Sequence, residues 1–295
     1  MNAQEEFQAV LQAAVQQAVQ WRNEGPSIPA IPPASAAQLR ELFDIGLPEN
    51  GRDPLKVIQS LADAAVPGLV SNTHSNFFAW VMGSSDPLGV AADVLTSAWG
   101  QNSGMYQTAP SSAICEEIVS KWLLELLSLP PSCSMAFTSG ATMASFICLA
   151  AARSEVLARI DYDLEQEGLT GAPAIGVFLG EQAHATILAG LRYLGFGSKQ
   201  LIKIAVDDQG RMLANDLEAK ITAFSGPKII IAQAGHINSG AFDPFEEICL
   251  IARIHDAWVH VDGAFGLWAQ AVPKLKSLCK GVEQADSWTV DGHKW

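Results

Sequence analysis

An aspartate and a lysine each follow an apolar stretch that predicts a buried β-strand. Asp262 comes directly after Trp258–Val261, and Lys294 comes shortly after Ser287–Val290. A carboxylate at the end of a buried strand is costly to desolvate unless it meets a cation or several hydrogen-bond donors. Asp262 is therefore a stronger functional candidate than the other acids. A lone lysine is more often a solvated surface charge, so Lys294 is a candidate through its position alone.

Two further features follow other predicted strands. The turn at 138–142, TSGAT, comes after Ser134–Phe137 and opens a helix, where backbone N–H groups and hydroxyls can bind a phosphate. His184 follows Ala174–Leu179 at the start of another helix. Each feature alone also fits ordinary architecture, an N-cap or a surface histidine. The sequence contains neither a GxGxxG nor a Walker A pattern, which removes the main support for dinucleotide and P-loop sites.

Metal binding and disulfide bonding are less well supported. His260, Asp262 and His293 could ligate zinc by residue type, but their spacing matches no recognised zinc motif. The five cysteines are scattered singly, which favours free thiols in a reducing compartment over a disulfide framework. We therefore expect no metal and a cytoplasmic protein.

Short apolar runs alternate with helical stretches over most of the chain. The runs are continuous in hydrophobicity, which is typical of parallel strands buried on both faces. The pattern predicts an α/β domain in which ligands bind beyond the carboxyl ends of the strands. The predicted strands are Ser134–Phe137, Ala174–Leu179, Lys228–Ala232, Trp258–Val261 and Ser287–Val290. The predicted helices are an amphipathic one ending at Pro130 and others near Thr142–Ile160, His184–Leu194, Asp216–Phe224 and Phe245–Ala257.

The first 71 residues predict three small amphipathic helices. Apolar residues recur at helical spacing from Phe7 to Ala18. Ser35 and Gln38 have the spacing of a capping box, and Asp53-Pro54 has the pattern of an N-cap and a first-turn proline. Because such helices cannot bury their apolar faces alone, we expect an N-terminal arm, residues 1–71, that packs on the main body or on a second subunit.

The overall charge argues against some classes of partner. The chain has 31 acidic and 18 basic residues, a formal net charge of −13, whereas nucleic-acid-binding proteins concentrate Lys and Arg. No apolar run is expected to reach the length that spans a bilayer, and the N-terminus lacks the apolar core of a signal peptide. We expect a protein that acts on small molecules, without nucleic-acid or membrane partners.

The order of the chemical signals is more informative than any one of them. A phosphate-suited turn, a histidine, an aspartate after a buried strand and a lysine after the next strand follow in sequence. In this respect the chain resembles the pyridoxal-phosphate-dependent amino-acid decarboxylases, the group that includes the aromatic-amino-acid and glutamate enzymes. The matching stretches are FTSGATMASFICLAAAR, HATILAGLRYLGFG, NSGAFDP, HVDGAFG and ADSWTVDGHKW, within a resemblance that covers about 72–295.

The resemblance implies a fold, a cofactor and a reaction. The fold would be the large domain of an aspartate-aminotransferase-like, fold type I enzyme, with a mostly parallel seven-stranded sheet and helices on both faces, here incomplete. The cofactor would be pyridoxal 5'-phosphate, and the reaction would convert an L-amino acid to an amine and carbon dioxide. The resemblance also implies a homodimer with the site near the subunit interface.

Individual residues receive roles from the same resemblance. Lys294 would hold the cofactor as a Schiff base, Asp262 would pair with the pyridine nitrogen, and His184 would stack on the ring face. The remaining implied contacts are Ala264 on the other ring face and Ala141, Thr142 and His293 around the phosphate. Many relatives have a glycine in place of Ala141 and a Thr-Thr pair in place of His236-Ile237, and the second departure leaves the local contacts open.

The resemblance further implies that the chain stops one residue after the cofactor lysine, inside the large domain at 72–295. Family members continue through another strand, a mobile catalytic loop and a small C-terminal domain. We therefore expect a C-terminally incomplete chain that is unstable or partly folded alone, and inactive. Two alternatives to the decarboxylase stay open: another lyase or aldehyde-forming relative, and a non-catalytic protein that binds the cofactor or a partner. The sequence does not choose between an aromatic and an acidic substrate.

Overall fold

The computed structural model describes residues 2–25, 29, 31–75 and 77–294. Its contacts divide the chain into two compact units, Met1–Asp93 and Val94–Trp295. The sequence-based division into an arm at 1–71 and a domain at 72–295 stays a prediction.

The first unit contains the three predicted helices, each with a polar N-cap. The Ser35 hydroxyl accepts from the Gln38 N–H at 3.3 Å, and the Gln38 side chain accepts from the Ser35 N–H at 2.8 Å, which completes the predicted capping box. Asp53 caps its helix by accepting from the Leu55 N–H at 2.9 Å. The helices are α1 (Ala3–Glu24), α2 (Ala36–Phe43) and α3 (Pro54–Ala65), and both α1 and α2 pack on α3. A further helix, α4 (Pro87–Trp99), was not predicted and crosses the division between the units.

The second unit is built around a five-stranded parallel sheet. Its strands are β1 (Gly176–Gly180), β2 (Leu201–Ile204), β3 (Lys228–Gln233), β4 (Ala257–Asp262) and β5 (Ser287–Thr289). Their order is β2-β1-β3-β4-β5. The helices are α5 (Pro110–Leu126), α6 (Ala141–Ala158), α7 (Leu164–Glu167), α8 (Ala185–Tyr193), α9 (Ala214–Thr222) and α10 (Phe245–Ile254). The α/β class and the parallel sheet are confirmed, with five of the seven strands that the fold type implies.

Helices cover both faces of this sheet, as predicted. One apolar cluster joins α9, α10 and the end of α5 to residues such as Val259 and Val261 of β4. The other joins α6 and α8 to residues such as Val177 and Leu179 of β1. Burial on both sides explains why the strand sequences are continuously apolar.

Helix α6 has an unusual composition for its position. Its 18 residues have a mean hydropathy of 1.3, which makes it long and apolar enough to cross a membrane by length and composition. This finding corrects the expectation that no apolar run approaches that length. In the structure α6 packs on α8, β3, β4 and β5, and 28% of its length is buried.

The predicted and observed strands differ at two places. Residues 134–137 form no strand, because a strand needs a hydrogen-bonded neighbour and none of the described residues pairs with them. Strand β2 was missed because Lys203 interrupts a short apolar run. As the strand at the edge of the sheet beside β1, β2 accommodates a lysine that a central strand would bury.

Candidate active site

The carboxyl ends of β3, β4 and β5 lie at one edge of the sheet. Asp262 is the Cα partner of Gln233 on one side and of Thr289 on the other. Because the strands are parallel, the segments that follow them leave the sheet at the same edge. The register therefore places the turn after β5, which carries Lys294, beside Asp262.

Asp262 is a buried acid with an unusual environment. Asp262 is 7% exposed, and its Oδ1 accepts a hydrogen bond from the Ala264 N–H at 3.2 Å. Burial raises the pKa of the carboxyl, while this hydrogen bond and the electrostatic influence of His184 and Lys294 lower it. The structure thus places Lys294 and His184 near enough to influence the pKa of Asp262, and Ala264 lies in the turn that binds the carboxylate.

Gly263 makes this turn possible. A Cβ at Gly263 would lie 2.7 Å from the carbonyl oxygen of Thr289 and 2.7 Å from the Cβ of Leu267. Such distances are far inside van der Waals contact, so a side chain here would push β4 and β5 apart. The close approach of the two segments therefore depends on glycine.

His184 is the N-cap of α8. Its Nδ1 accepts from the Thr186 N–H at 3.3 Å and lies 2.7 Å from the Thr186 hydroxyl. The ordinary interpretation of this histidine as a cap is therefore correct. Capping fixes the ring through Nδ1 and leaves Nε2 for another partner, so the structural role is compatible with the predicted functional one.

Lys294 and His293 both contact an acid that sequence reasoning missed. The Lys294 Nζ lies 3.9 Å from Oδ2 of Asp291, and the His293 Nδ1 lies 2.7 Å from its Oδ1. Asp291 is 9% exposed. Its signal was available in the sequence, because it follows the apolar run Ser287–Val290 just as Asp262 follows the run Trp258–Val261.

The start of α6 lies next to this turn. The Ser145 hydroxyl is 3.1 Å from the Thr289 hydroxyl, and both residues are buried. Ser145 is one helical turn beyond Ala141, so the first turn of α6, with Ala141 and Thr142, projects past the carboxyl end of β5. No side chain of the described residues caps α6, which leaves its first N–H groups available to an anion.

A small cavity adjoins Asp262 and contains a second buried acid, Asp243. Burial raises the pKa of Asp243 to about 6, against the two hydrogen bonds that lower it. Those bonds come from the backbone N–H groups of Met212 and Gln233, each at 2.7 Å. Asp243 thereby links Met212, which lies just before α9, to the end of β3. Nothing in its local sequence distinguished it from a surface turn residue. The cavity is lined by Gly180, Gln182, Ala183, Ile187, Gly210, Ile231, Ala232, Gln233, Asp243 and Asp262.

His236 and Ile237, the pair that departs from the family pattern, differ in their exposure to solvent. His236 is buried, and its Nδ1 accepts from the Asn238 N–H at 3.3 Å. Ile237 is 41% exposed. The His236 ring lies beside Gly210, which also lines the Asp262 cavity.

The zinc alternative receives no support from the geometry. His260 is fully buried, with Nδ1 3.0 Å from the Ser287 hydroxyl and Nε2 without a partner among the described residues. Burial lowers the pKa of His260 to about 3. Within the described ranges, no three His, Cys, Asp or Glu side chains are close enough together to hold a metal ion.

A family model described as the pyridoxal-dependent decarboxylase conserved domain matches residues 36–295. The chain belongs to this family. The match extends from α2 through Lys294 and so includes every residue of the site. Pyridoxal 5'-phosphate is accordingly the cofactor to which the site must be fitted.

Individual decarboxylases of the family are similar over most of this chain. An aromatic-L-amino-acid decarboxylase of Bacillus atrophaeus is 29% identical over 295 residues, which cover 99% of this chain and 59% of that protein. The human acidic amino acid decarboxylase GADL1 is 27% identical over 263 residues, 87% of this chain and 49% of that protein. The chain therefore spans about half to three-fifths of the length of these relatives.

Solved structures of the family have the same fold. Mouse CSAD in its apo form superposes with a TM-score of 0.88 at 26% identity, over 99% of this chain and 61% of that one. An Oryza sativa TDC solved with PLP superposes with a TM-score of 0.89 at 24% identity, over 100% of this chain and 65% of that one. The second likeness concerns the fold alone.

The residues present in the site fit pyridoxal phosphate. A protonated pyridine nitrogen would satisfy the buried Asp262 carboxylate, whose desolvation calls for a cation. The uncapped start of α6 and His293 offer donors to a phosphate, and Lys294 offers an amine. These complementary groups all lie at the carboxyl edge of the sheet.

Proposed function

We propose that this protein decarboxylates an L-amino acid to an amine and carbon dioxide with pyridoxal phosphate. The observation that carries the proposal is the position of the buried Asp262 at the carboxyl end of β4, paired with Thr289 and so beside the turn that carries Lys294. His184 and Lys294 both act to lower the pKa of this carboxyl, against the burial that raises it. Similarity to decarboxylases of aromatic and of acidic amino acids supports the substrate class without selecting a side chain.

When bound, pyridoxal phosphate supplies a positively charged ring that accepts the electron pair left as carbon dioxide departs. Asp262 holds the proton at the ring nitrogen, because its buried carboxylate has a strong requirement for a nearby positive charge. His184, whose ring is held by Thr186, would pack on one face of the cofactor ring, and Ala264 would pack on the other. Lys294 provides the amine through which the protein holds the cofactor covalently.

The phosphate end is held by backbone and imidazole donors. The N–H groups of Ala141 and Thr142, in the first turn of α6, point away from the helix and towards an anion at its start. His293 adds a side-chain donor from the turn after β5. Together these contacts orient the cofactor, which is the main contribution of the protein to a reaction whose bond-breaking chemistry belongs to the cofactor.

Carbon dioxide release tests the proposal. Protein made from the complete reading frame would be supplied with pyridoxal phosphate and a panel of carboxyl-labelled L-amino acids. We expect labelled carbon dioxide and the matching amine from one class of substrate, no turnover in Lys294→Ala, and normal turnover in Lys280→Ala, an exposed lysine paired with Glu246. Release that persists at the wild-type rate in Lys294→Ala would overturn the assignment.

An aldehyde-forming activity is the second candidate. A 4-hydroxyphenylacetaldehyde synthase of Rhodiola rosea is 27% identical over 264 residues, 84% of this chain and 52% of that protein. Product analysis separates the two reactions, because the aldehyde-forming reaction consumes dioxygen and water and yields an aldehyde, ammonia and hydrogen peroxide with the carbon dioxide, whereas simple decarboxylation yields the amine. Aldehyde as the main product in the carbon dioxide assay would favour this candidate.

We also propose that the protein forms a homodimer in the cytoplasm. Phe7, Val15 and Val19 of α1 are each about half exposed or more, and α1 buries no residue fully, which leaves an apolar face for a second copy. The five cysteines are free thiols, as suits a reducing compartment. Sedimentation of the complete protein tests the dimer, and cell fractionation tests the location.

A further inference from the structure

We propose that Asp291 is a positioning residue that orients His293 towards the cofactor phosphate. The proposal rests on the cofactor site described above. Asp291 would act through His293, holding the Nδ1 side of the imidazole so that Nε2 faces the anion at the start of α6.

Asp291 contacts both the ring and the backbone of His293. The Asp291 Oδ1 lies 2.7 Å from the imidazole Nδ1, and the same oxygen accepts from the backbone N–H of His293 at 3.3 Å. One carboxylate oxygen therefore fixes both the backbone and the ring of this residue. Because Nδ1 is engaged, Nε2 is the ring nitrogen left for a ligand.

The carboxylate itself is firmly placed. Asp291 is 9% exposed, and its backbone carbonyl accepts from the Trp268 indole N–H at 2.7 Å. Trp268 belongs to the 3₁₀ helix that follows the Asp262 turn. This hydrogen bond connects the loop after β5 to the segment after β4. Because the backbone of Asp291 is fixed in this way, its side chain loses little conformational freedom when it positions a neighbouring residue.

The neighbouring α6 identifies what His293 would face. The buried hydroxyl contact of Ser145 with Thr289 sets the start of α6 beside the turn that Asp291 begins. The His293 side chain is 55% exposed, so it is open to a ligand, whereas the Asp291 side chain is 11% exposed. A carboxylate in direct contact with a phosphate would repel it, and an intervening imidazole removes that conflict.

Distance decides which neighbour Asp291 serves. Its Oδ1 lies 2.7 Å from the Nδ1 of the His293 ring, whereas its Oδ2 lies 3.9 Å from the Lys294 Nζ. The geometry therefore favours orientation of His293 over restraint of Lys294.

Comparing two cofactor forms tests the inference. Pyridoxal phosphate and pyridoxal share the ring and aldehyde but differ in the phosphate. Their dissociation constants would be measured on the complete protein, stripped of cofactor, for the wild type, Asp291→Ala, Asp291→Asn, His293→Ala, the Asp291→Ala/His293→Ala double variant and the exposed control Asp208→Ala.

We expect Asp291→Ala to bind pyridoxal phosphate about tenfold more weakly, the effect of one charge-assisted hydrogen bond, with pyridoxal binding unchanged. Asp291→Asn should recover most of the affinity because its amide oxygen can occupy the same position beside Nδ1. In the His293→Ala background Asp291→Ala should add nothing. The inference would be overturned if Asp291→Ala weakened the binding of pyridoxal phosphate and of pyridoxal equally, or weakened neither. It would also be overturned if Asp291→Asn lost as much affinity for pyridoxal phosphate as Asp291→Ala does. Pyridoxal that fails to label Lys294 after borohydride reduction would instead contradict the proposed function.

Discussion

Asp262 and Thr289 are paired across β4 and β5, and this pairing places the Lys294 turn beside the buried carboxylate. The same Thr289 contacts Ser145 of α6 through its hydroxyl. One residue of β5 therefore connects the acid that would face the ring, the turn that carries the amine and the helix start that would bind the phosphate.

Replacing Asp262 by Asn tests the charge at the ring nitrogen. The variant keeps the side-chain shape but cannot hold a proton on the ring, so we expect decarboxylation to slow by about a hundredfold or more. Without cofactor, the free energy of unfolding of the variant should equal or exceed that of the wild type, because burying a carboxylate without a cation beside it is destabilising. Carbon dioxide release and urea unfolding give the two readouts, with Asp208→Asn as the control. Activity within a few-fold of wild type would contradict the role.

Acid pH should affect stability through Asp243. Burial raises its pKa from 3.8 to about 6, so between these values the folded protein binds a proton more tightly than the unfolded chain does. This group then contributes up to about 3 kcal/mol to the free energy of unfolding as the pH falls through that window, and the contribution is lost as the pH rises.

Asp243→Asn isolates this effect from other acids. Asp207 and Asp216 have pKa values lowered chiefly by hydrogen bonds, from the Arg211 N–H and from Lys220 respectively, so they act in the opposite direction. We expect the stability of the wild type relative to Asp243→Asn to increase as the pH falls from 6 towards 3.8. Urea unfolding of cofactor-free protein across that range provides the measurement, and parallel curves for the two proteins would refute the prediction.

Gly263→Ala should loosen the junction of β4 and β5. The added methyl group would meet Thr289 O and Leu267 Cβ, each at 2.7 Å, and relief of such overlap costs about 1–3 kcal/mol. Gly292→Ala is the matched control, since a Cβ there meets no described atom within 4 Å. Thermal melts of both variants provide the test. Equal melting temperatures would show that the junction tolerates a side chain.

Much of the fold could be predicted because buried parallel strands have continuous apolar sequences. Strands β3 and β4 and helices such as α6 and α10 follow from that pattern. Strand β2 did not, because its Lys203 is acceptable only at an edge, and edge position is a property of the sheet. Residues 134–137 have the composition of a strand, but composition cannot supply the partner that a strand requires.

The candidate site likewise contains residues that the sequence predicted and residues that it did not. Asp262 and Lys294 were predictable because a charged residue after an apolar strand is uncommon, and their order with His184 is typical of the family. Asp243 was missed because its role depends on which N–H groups the turns bring within 3 Å or so. Asp291 follows an apolar run and was open to the same reasoning as Asp262, but its 2.7 Å contact with the His293 ring is a property of the folded turn. Those distances arise from the folded turns and leave no periodic trace in the sequence.

Borohydride trapping tests the central claim, that Lys294 holds the cofactor, most directly. Folded protein from the complete reading frame would be incubated with pyridoxal phosphate, reduced, digested and mapped by mass spectrometry, with folding verified by circular dichroism. We predict one pyridoxyl group, on Lys294, in the wild type and none at that position in Lys294→Ala. A label on a different lysine, or none in folded wild-type protein, would contradict the account.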